Sequence, residues 1–198
     1  MATIIKDGTG SNSSAGVNDN NRLLVDSITR PDRQDIATLG EAYLIGTGPV
    51  TLTTAGAPSA VLYFKNNEEE DLIVTRFLIS CAFSTGASAT ENTLLGIIYK
   101  NPTGMSSGST NPLAINNVNF GSNNTIDSNS EIGADSASLT GSPSAYFSIY
   151  APLETLTAED ATTILPKGSS IGVVIIPPAS LTAGALIVSV GINAHKKL

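Results

Sequence analysis

The sequence contains no tryptophan, and cysteine and histidine occur once each, as Cys81 and His195. One cysteine and one histidine cannot fill the four positions of a structural zinc site, and a lone cysteine cannot form a disulfide within the chain. Cys81 lies in an alternating apolar pattern, so we expect a buried, unreactive thiol. His195 stands near the C-terminus, where we expect a frayed, solvated tail. No Ser–His or Cys–His catalytic pair is expected, and the sequence predicts a protein that is not an enzyme.

Charged residues are also scarce, at 14% of the chain against about 25% in a typical soluble domain. The net charge is −7, and no Lys or Arg occurs between Lys100 and Lys167. Nucleic acid is therefore not expected as a partner, because phosphate binding needs a clustered basic face. No apolar run approaches the ~18 residues of a membrane span, and the opening MATIIKDGTG lacks the apolar centre of a signal peptide. We expect a protein made in the cytoplasm, with no membrane contact.

The residues that are abundant favour strands joined by turns. The apolar set is Ile, Val, Leu and Ala, and the polar set is Ser, Thr, Asn and Gly. This composition predicts an all-β fold, an antiparallel, jelly-roll-like β-sandwich. The predicted strands are Ala42–Gly46, Val50–Thr54, Ala60–Lys65, Leu72–Phe83, Thr93–Lys100, Leu113–Phe120, Ala145–Tyr150, Thr162–Leu165, Ser170–Ile176 and Ala185–Ala194.

Two of these strands show a clear alternation that predicts which side chains are buried. In Leu72–Phe83 the predicted buried face carries Ile73, Thr75, Phe77, Ile79, Cys81 and Phe83. In Ala185–Ala194 it carries Leu186, Val188, Val190, Ile192 and Ala194.

A third strand has no such alternation. In the run IGVVIIPP both faces are apolar, which predicts a strand at the centre of a sheet or under the N-terminal region.

The first 40 residues differ from the rest and predict an extended arm, followed by a β-sandwich domain from 41 to 198. A Gly/Ser/Asn tract precedes the strand-like RLLVDSIT, and Pro31 with Asp32 predicts a short helix that ends at Gly40. A second helical turn is predicted from Thr157, with Asp160 as its capping partner. Residues 101–145 are predicted to form long surface excursions that pack against a partner.

Binding motifs for ions and nucleotides are incomplete. DGTGSNSSAG is glycine-rich but lacks the G-K-[ST] ending of a phosphate-binding loop. VNDNN and NNEEED are rich in oxygen ligands, yet neither has the spacing of an EF-hand. The sequence therefore predicts no cofactor and assigns no metal ligands, and it leaves a structural calcium ion open.

Four consecutive carboxylates, Glu68 to Asp71, follow Asn66 and Asn67. A glycosidase-like pair of carboxylates would lie ~5–9 Å apart on different elements, which adjacent residues do not provide. Asn tolerates left-handed turn conformations, and runs of charge are usually solvated. We therefore predict a hairpin turn whose carboxylates face water.

Six segments carry a resemblance to known proteins: NRLLVDSITR, AVLYFKNNEEEDLIV, IIYKNPTG, NVNFGSNNTI, LPKGSSIGVVIIPP and SVGINAHKK. Together they resemble a group of small structural proteins found in the virions of tailed bacteriophages. The resemblance extends over most of the chain and rests on strand and turn patterns. It implies a β-sandwich subunit of a phage particle.

The role implied by the resemblance is a capsid decoration (cement) protein on the outside of the head lattice. Such a protein is assembled in the bacterial cytoplasm, resides in the virion, and binds the major capsid protein or another virion protein. It would form a homo-oligomer, with a trimer favoured. Symmetric subunits can interlock arms, so we predict that residues 1–35 clamp a neighbour or the major capsid protein. The predicted interface residues are Arg22, Leu23, Leu24, Val25, Ile28, Arg30 and Arg33.

Two alternatives stay open at this point. One is a virion protein of the tail, neck or fibre, because the sequence does not separate a head from a tail location. The other is a receptor-binding or carbohydrate-binding β-sandwich. The absence of tryptophan counts against a sugar site, which usually has aromatic platforms.

Overall fold

The structure is a computed structural model that describes residues 4–6, 14–17, 23–24, 36–106, 112–182 and 184–197. The chain divides into two compact units, Met1–Asp32 and Arg33–Leu198. The first unit contains three short strands in an antiparallel sheet of order β1-β2-β3. These strands are β1 (Ile4–Lys6), β2 (Ser14–Val17) and β3 (Leu23–Leu24).

The second unit opens with a single helical turn at residues 36–38, α1. Gly40 follows it with a φ of 75°, a left-handed value that ends a helix and favours glycine. The predicted end of this helix is confirmed. Its predicted start at Pro31 and Asp32 lies outside the described residues.

The rest of the second unit consists of strands in two large sheets and one small one. The six-stranded sheet contains β4 (Ala42–Gly46), β5 (Val50–Leu52), β7 (Leu72–Phe83), β10 (Ala114–Asn117), β14 (Leu156–Leu165) and β16 (Leu186–Lys196). The five-stranded sheet contains β6 (Ser59–Asn66), β8 (Thr93–Lys100), β11 (Ser128–Ile132), β13 (Ser144–Pro152) and β15 (Ser170–Ile176). The small sheet pairs β9 (Gly104–Met105) with β12 (Leu139–Thr140).

Strand pairing is nested, as in a jelly roll. The order is β10-β4-β16-β7-β14 in one large sheet, with β5 also beside β16, and β11-β6-β15-β8-β13 in the other. Early strands pair with late ones: β6 with β15, β7 with β14 and β8 with β13. All these pairs are antiparallel. The predicted all-β, antiparallel, jelly-roll-like sandwich is therefore confirmed.

The core lies between the two large sheets, and β16 and β15 show why the sequence builds it. On β16 the predicted inward residues, Leu186 to Ala194 at every second position, are all buried. On β15 every residue except the last is buried, because this strand lies between β6 and β8 and is covered on both faces. Burial of each large apolar side chain contributes ~1.5–3 kcal/mol. The central position predicted for IGVVIIPP is confirmed.

On β7 the predicted inward face is wrong for Ile73 and Thr75. The buried residues of this half of the strand are Leu72 and Val74, whereas Phe77, Ile79 and Cys81 are buried as predicted. The pairing of β7 with both β14 and β16 shifts between Val74 and Arg76. A β-bulge adds one residue and reverses which side chains face inward, so a strict period of two fails across it.

The predicted helical turn at Thr157 is also wrong. Thr157 and Asp160 lie within β14, an edge strand that pairs with β7 along its whole length. β-Branched residues restrict χ1 in a helix and fit a pleated strand. The threonines and isoleucine of this segment therefore favour the ladder that β7 offers.

Part of the 101–145 segment packs on the chain's own body. A Cβ added at Gly172, in the middle of β15, would lie 2.7 Å from the Leu139 side chain and 3.2 Å from Pro102. Ala60, Ala137 and Val174 form a small buried cluster at the same place. The outer face of the five-stranded sheet is therefore partly covered by this segment.

Gly133, just after β11, lies directly against the backbone of β6. A Cβ at this position would lie 1.8 Å from the carbonyl oxygen of Ala60. We expect Gly133→Ala to lower the free energy of unfolding by about 2–3 kcal/mol, since the clash is with backbone. Urea denaturation measures this. Gly46→Ala is the control, because its nearest atom would be 3.6 Å away; equal losses in both variants would contradict the packing.

Candidate interaction surfaces

The acidic segment joins two different sheets, so the predicted hairpin is wrong. β6 ends at Asn66 in the five-stranded sheet, and β7 begins at Leu72 in the six-stranded sheet. Both sides of β6 are occupied by β11 and β15, which leaves no edge for β7 to pair with. Residues 67–71 therefore form an arch across the end of the sandwich, which we call the acidic arch.

Asn66 holds the acidic arch in shape. Its side chain is fully buried, and Nδ2 donates to the carbonyl oxygens of Glu70 at 3.0 Å and Leu165 at 2.9 Å. Its Oδ1 accepts from the backbone N–H of Glu68 at 2.9 Å. The arch thus depends on one amide side chain that replaces the missing ladder bonds.

Three of the four carboxylates in the arch are paired with lysines. Glu68 Oε2 lies 3.2 Å from Lys196 Nζ, with both side chains largely buried, and Glu68 Oε1 accepts from the backbone N–H of Asp127 at 2.7 Å. Glu69 pairs with Lys167, and Asp71 Oδ2 lies 3.5 Å from Lys197 Nζ. Glu69 and Glu70 are exposed to solvent as predicted, whereas Glu68 and Asp71 are partly buried.

Glu41 and Tyr43 extend the ion pair of Glu68 into a buried cluster. Lys196 Nζ lies 3.5 Å from Glu41 Oε2, and the hydroxyl of Tyr43 donates to the same oxygen at 3.0 Å. Burial, the hydrogen bond to Glu41 and the charges of Glu41 and Glu68 all raise the pKa of Tyr43. Burial alone would lower the pKa of Lys196, but the hydrogen bonds and charges of Glu68 and Glu41 outweigh it and raise the pKa. Glu41, Glu68, Lys196 and Tyr43 thus form one network of ion pairs and hydrogen bonds at this end of the sandwich.

His195 is part of this end of the sandwich, so the predicted frayed tail is wrong. It lies within β16, opposite Ala42 on one side and Ile73 on the other, and it is 9% exposed. The tail is fixed because Lys196 and Lys197 continue the backbone pairing: their N–H groups donate to the carbonyls of Glu41 and Asp71. Sequence position near the terminus did not reveal these partners.

Cys81 is buried, as predicted, and is far from His195. Burial raises the pKa of the Cys81 thiol, which disfavours the reactive thiolate. Cys81 pairs with Val188, so His195 lies seven residues further along β16, or ~23 Å away at strand spacing. The structure does not bring the only cysteine and the only histidine together.

Among the described residues, no three His, Cys, Asp or Glu side chains are grouped so as to hold a metal ion. In that part of the chain, no helix has the length and apolar character needed to cross a membrane.

The predicted partner-interface residues fall mainly outside the described ranges. Leu23 and Leu24 form β3, whose register places them opposite Val17 and Gly16 of β2. Arg22, Val25, Ile28, Arg30 and Arg33 lie outside the described residues. Their assignment to an interface stays a prediction.

The outer surface of the six-stranded sheet presents a broad area of mostly uncharged residues that we call the open face. Leu44 and Leu156 are 40% and 66% exposed. A shallow groove of about 300 Å³ lies on this face. The outward residues of the open face are Leu44, Gly46, Leu78, Ser80, Ala114, Asn116, Leu156, Ser189 and Gly191.

A second exposed surface is the loop of residues 117–124, which we call the Phe120 loop. Asn117 Nδ2 donates to the carbonyls of Gly40 at 2.7 Å and Asn124 at 3.1 Å, and Asn119 Nδ2 donates to Thr38 at 3.1 Å. Phe120 itself has a relative exposure of 103%. The loop therefore holds a fully exposed aromatic ring on a hydrogen-bonded frame.

Sequence reasoning singled out neither surface. The alternation of β7 could have revealed Leu78, because it points away from the predicted inward residues Phe77 and Ile79. Leu156 could not be found in this way, since its segment carried a helical prediction. Comparison of the chain with known protein families and with curated proteins found no match.

Removal of the Lys196 charge is expected to destabilise the fold. In Lys196→Met, the carboxylates of Glu41 and Glu68, which are 22% and 14% exposed, lose their shared cation. We expect a loss of about 2 kcal/mol in the free energy of unfolding, measured by urea denaturation. Lys197→Met is the matched control: its partner is more exposed, so a loss under ~0.5 kcal/mol is expected. A larger loss in the control would refute the assignment.

Alkaline pH is expected to weaken the same cluster. The pKa values of Tyr43 and Lys196 are raised in the folded state. Their contribution is therefore complete below about pH 10 and is lost as pH rises through the folded pKa values. We expect the urea midpoint to fall between about pH 10 and pH 12, and to fall less in Tyr43→Phe. Tyr150→Phe, on an exposed strand position, should leave the profile unchanged; a profile identical in all three proteins would contradict this account.

Proposed function

We propose that this protein is a structural subunit of a tailed-bacteriophage virion, a capsid decoration protein that binds the head lattice and stabilises it. The observation that carries the proposal is a jelly-roll sandwich preceded by a separate N-terminal unit, Met1–Asp32. Jelly rolls are a recurrent architecture of viral structural proteins. Because a fold alone does not define a function, the sequence resemblance and the exposed surfaces supply the remaining support.

The arrangement of ionisable groups supports a structural role, as opposed to a catalytic one. In the described part of the chain, Lys196 forms ion pairs with Glu41 and Glu68, and Glu68 also accepts a hydrogen bond from the backbone. A general base or nucleophile needs a partner group in a cleft, and Cys81 and His195 are far apart on β7 and β16. We propose that the protein performs no catalysis.

The Phe120 loop is the proposed contact with the particle. Interface hot spots are enriched in aromatic residues, and a loop fixed before binding loses little conformational entropy when it binds. Asn117 and Asn119 provide this rigidity, while Phe120 is fully exposed. The partner in this proposal is the major capsid protein, or another virion protein with an apolar pocket.

Co-sedimentation with particles that lack this chain tests the proposal. We expect saturable binding at hundreds of copies per particle, counted by quantitative mass spectrometry; a handful would place the protein at the neck, baseplate or fibre. Deletion of residues 1–30 should abolish binding if the N-terminal region clamps a neighbour. Unchanged binding and oligomer size after the deletion would overturn that part of the proposal.

Phe120→Ala should weaken particle binding about tenfold or more, as expected for loss of an aromatic anchor worth ~1.5–2 kcal/mol or more. Its fold should not change, because the ring makes little contact with the body. Tyr150→Ala is the matched control, since Tyr150 is also exposed but belongs to β13. Equal loss in both variants would show that the effect is not specific to the loop.

A further inference from the structure

We propose that the open face is a self-association surface, on which a second copy of this chain packs face to face about a two-fold axis. This deepens the proposed assembly role, on which its biological meaning rests, by naming the surface through which copies meet. It also differs from the trimer implied by the sequence resemblance, because two identical faces in mutual contact form a closed pair.

The first argument comes from two glycines at the centre of the open face. Gly46 and Gly191 lie directly opposite each other in the β4–β16 ladder. A Cβ at either position would be no closer than 3.4 Å to any atom of the described residues beyond its chain neighbours, and neither residue has a positive φ. Glycine weakens a strand interior and is typical of places where another backbone or ligand approaches closely. Contacts within the body do not account for these two.

The five-stranded sheet shows what such a hollow accommodates. There Gly172 leaves room for Leu139, whose methyl groups would be 2.7 Å from an added Cβ. On the open face, no side chain from the described residues fills the corresponding space at Gly46, where the nearest atom would be a backbone oxygen. The hollow of the open face therefore fits an apolar side chain from outside the described body.

The open face supplies such side chains itself, next to the hollow. Leu78 lies opposite Gly191 on the neighbouring strand β7, and Leu156 lies one strand further, opposite Ser80. Leu78 and Leu156 form a ridge beside the hollow at Gly46 and Gly191, so the open face is complementary to the same face of a second copy. A two-fold axis places the ridge of each copy over the hollow of the other.

Charge favours a second copy as the occupant. The strand register places two charged residues, Arg76 and Asp160, on the part of this face between Leu44 and Leu156. Their side chains form an ion pair at 2.5 Å. This area therefore has no net charge, although the chain carries −7. Like-charged copies repel through their acidic surfaces, so a neutral apolar face is where two copies can approach.

The area is sufficient for a weak pair. Five adjacent strands about 4.8 Å apart, with about eight residues of 3.3 Å each, cover on the order of 600 Å². A standard interface buries about 800 Å² per partner, and transient ones bury less. We therefore expect a reversible dimer whose population rises across the micromolar range.

Sedimentation equilibrium of the full chain tests this without any particle. The wild-type mass should rise from monomer to dimer with concentration. Gly46→Val should remain folded, because the body leaves room for its side chain, but it should shift the dissociation constant at least tenfold by filling the hollow. Leu156→Asp should do the same, whereas Tyr150→Asp, at a similarly exposed position of the other sheet, should dimerise as wild type does. Circular dichroism and urea midpoints verify folding of each variant.

A second measurement covers the case in which a variant misfolds. Ser189→Cys places a thiol on the open face, and we expect maleimide to label it several times more slowly at dimer-forming concentration than in dilute solution. The native Cys81 is buried and serves as the background. A wild-type monomer at all concentrations, a trimer, or a dimer that Gly46→Val leaves intact would each overturn the proposal. Particle binding is scored separately, so loss of either property is distinguishable from loss of the other.

Discussion

The constraint on which this structure depends is that successive strands of a jelly roll lie in opposite sheets, so the chain repeatedly crosses the edge of the sandwich. A crossing segment has no ladder partner, yet its backbone groups still need hydrogen bonds. Polar side chains supply them: Asn66 bonds the backbone of Glu68 and Glu70 in the acidic arch, Asp135 accepts from the backbone N–H of Thr54, and Glu91 accepts from the backbone N–H of Ser180. A chain that folds in this way needs Asn, Ser and Thr at its turns more than it needs surface charge, which accounts for its composition.

Those parts of the fold that local sequence determines were predictable, and the parts that depend on distant partners were not. Leu72–Phe83, Thr93–Lys100 and Ser170–Ile176 have the predicted boundaries, because apolar runs bounded by Asp, Asn, Ser and Pro identify buried strands. In contrast, β11 has the polar sequence SNSEI and is a strand because β6 offers it an edge. The bulge at Thr75 is likewise a property of three paired strands, and no pattern within β7 indicates it.

The same distinction applies to the candidate surfaces. The sequence marks Glu68 as one of four adjacent acids, but its pairing with Lys196 joins residues 128 positions apart through the β4–β16–β7 ladder. Alternation predicts that Leu78 points outward, whereas its partial exposure depends on how distant parts of the described chain pack. Phe120 fell at the end of a predicted strand, so its exposure was not predicted. The exposure results from the amide side chains of Asn117 and Asn119, which accept backbone hydrogen bonds and turn the chain after β10.

The two outer faces of the sandwich differ in how far the chain itself covers them, and this difference connects the fold to the proposed assembly. On the five-stranded sheet, Leu139 and Pro102 cover Gly172, so part of that face is covered by the same chain. On the six-stranded sheet, Leu44 and Leu156 stay exposed around Gly46. Exposed apolar area of this kind costs free energy in an isolated subunit and is typical of surfaces that bind another molecule. The more exposed of the two faces is therefore the one to which the proposed self-association is assigned.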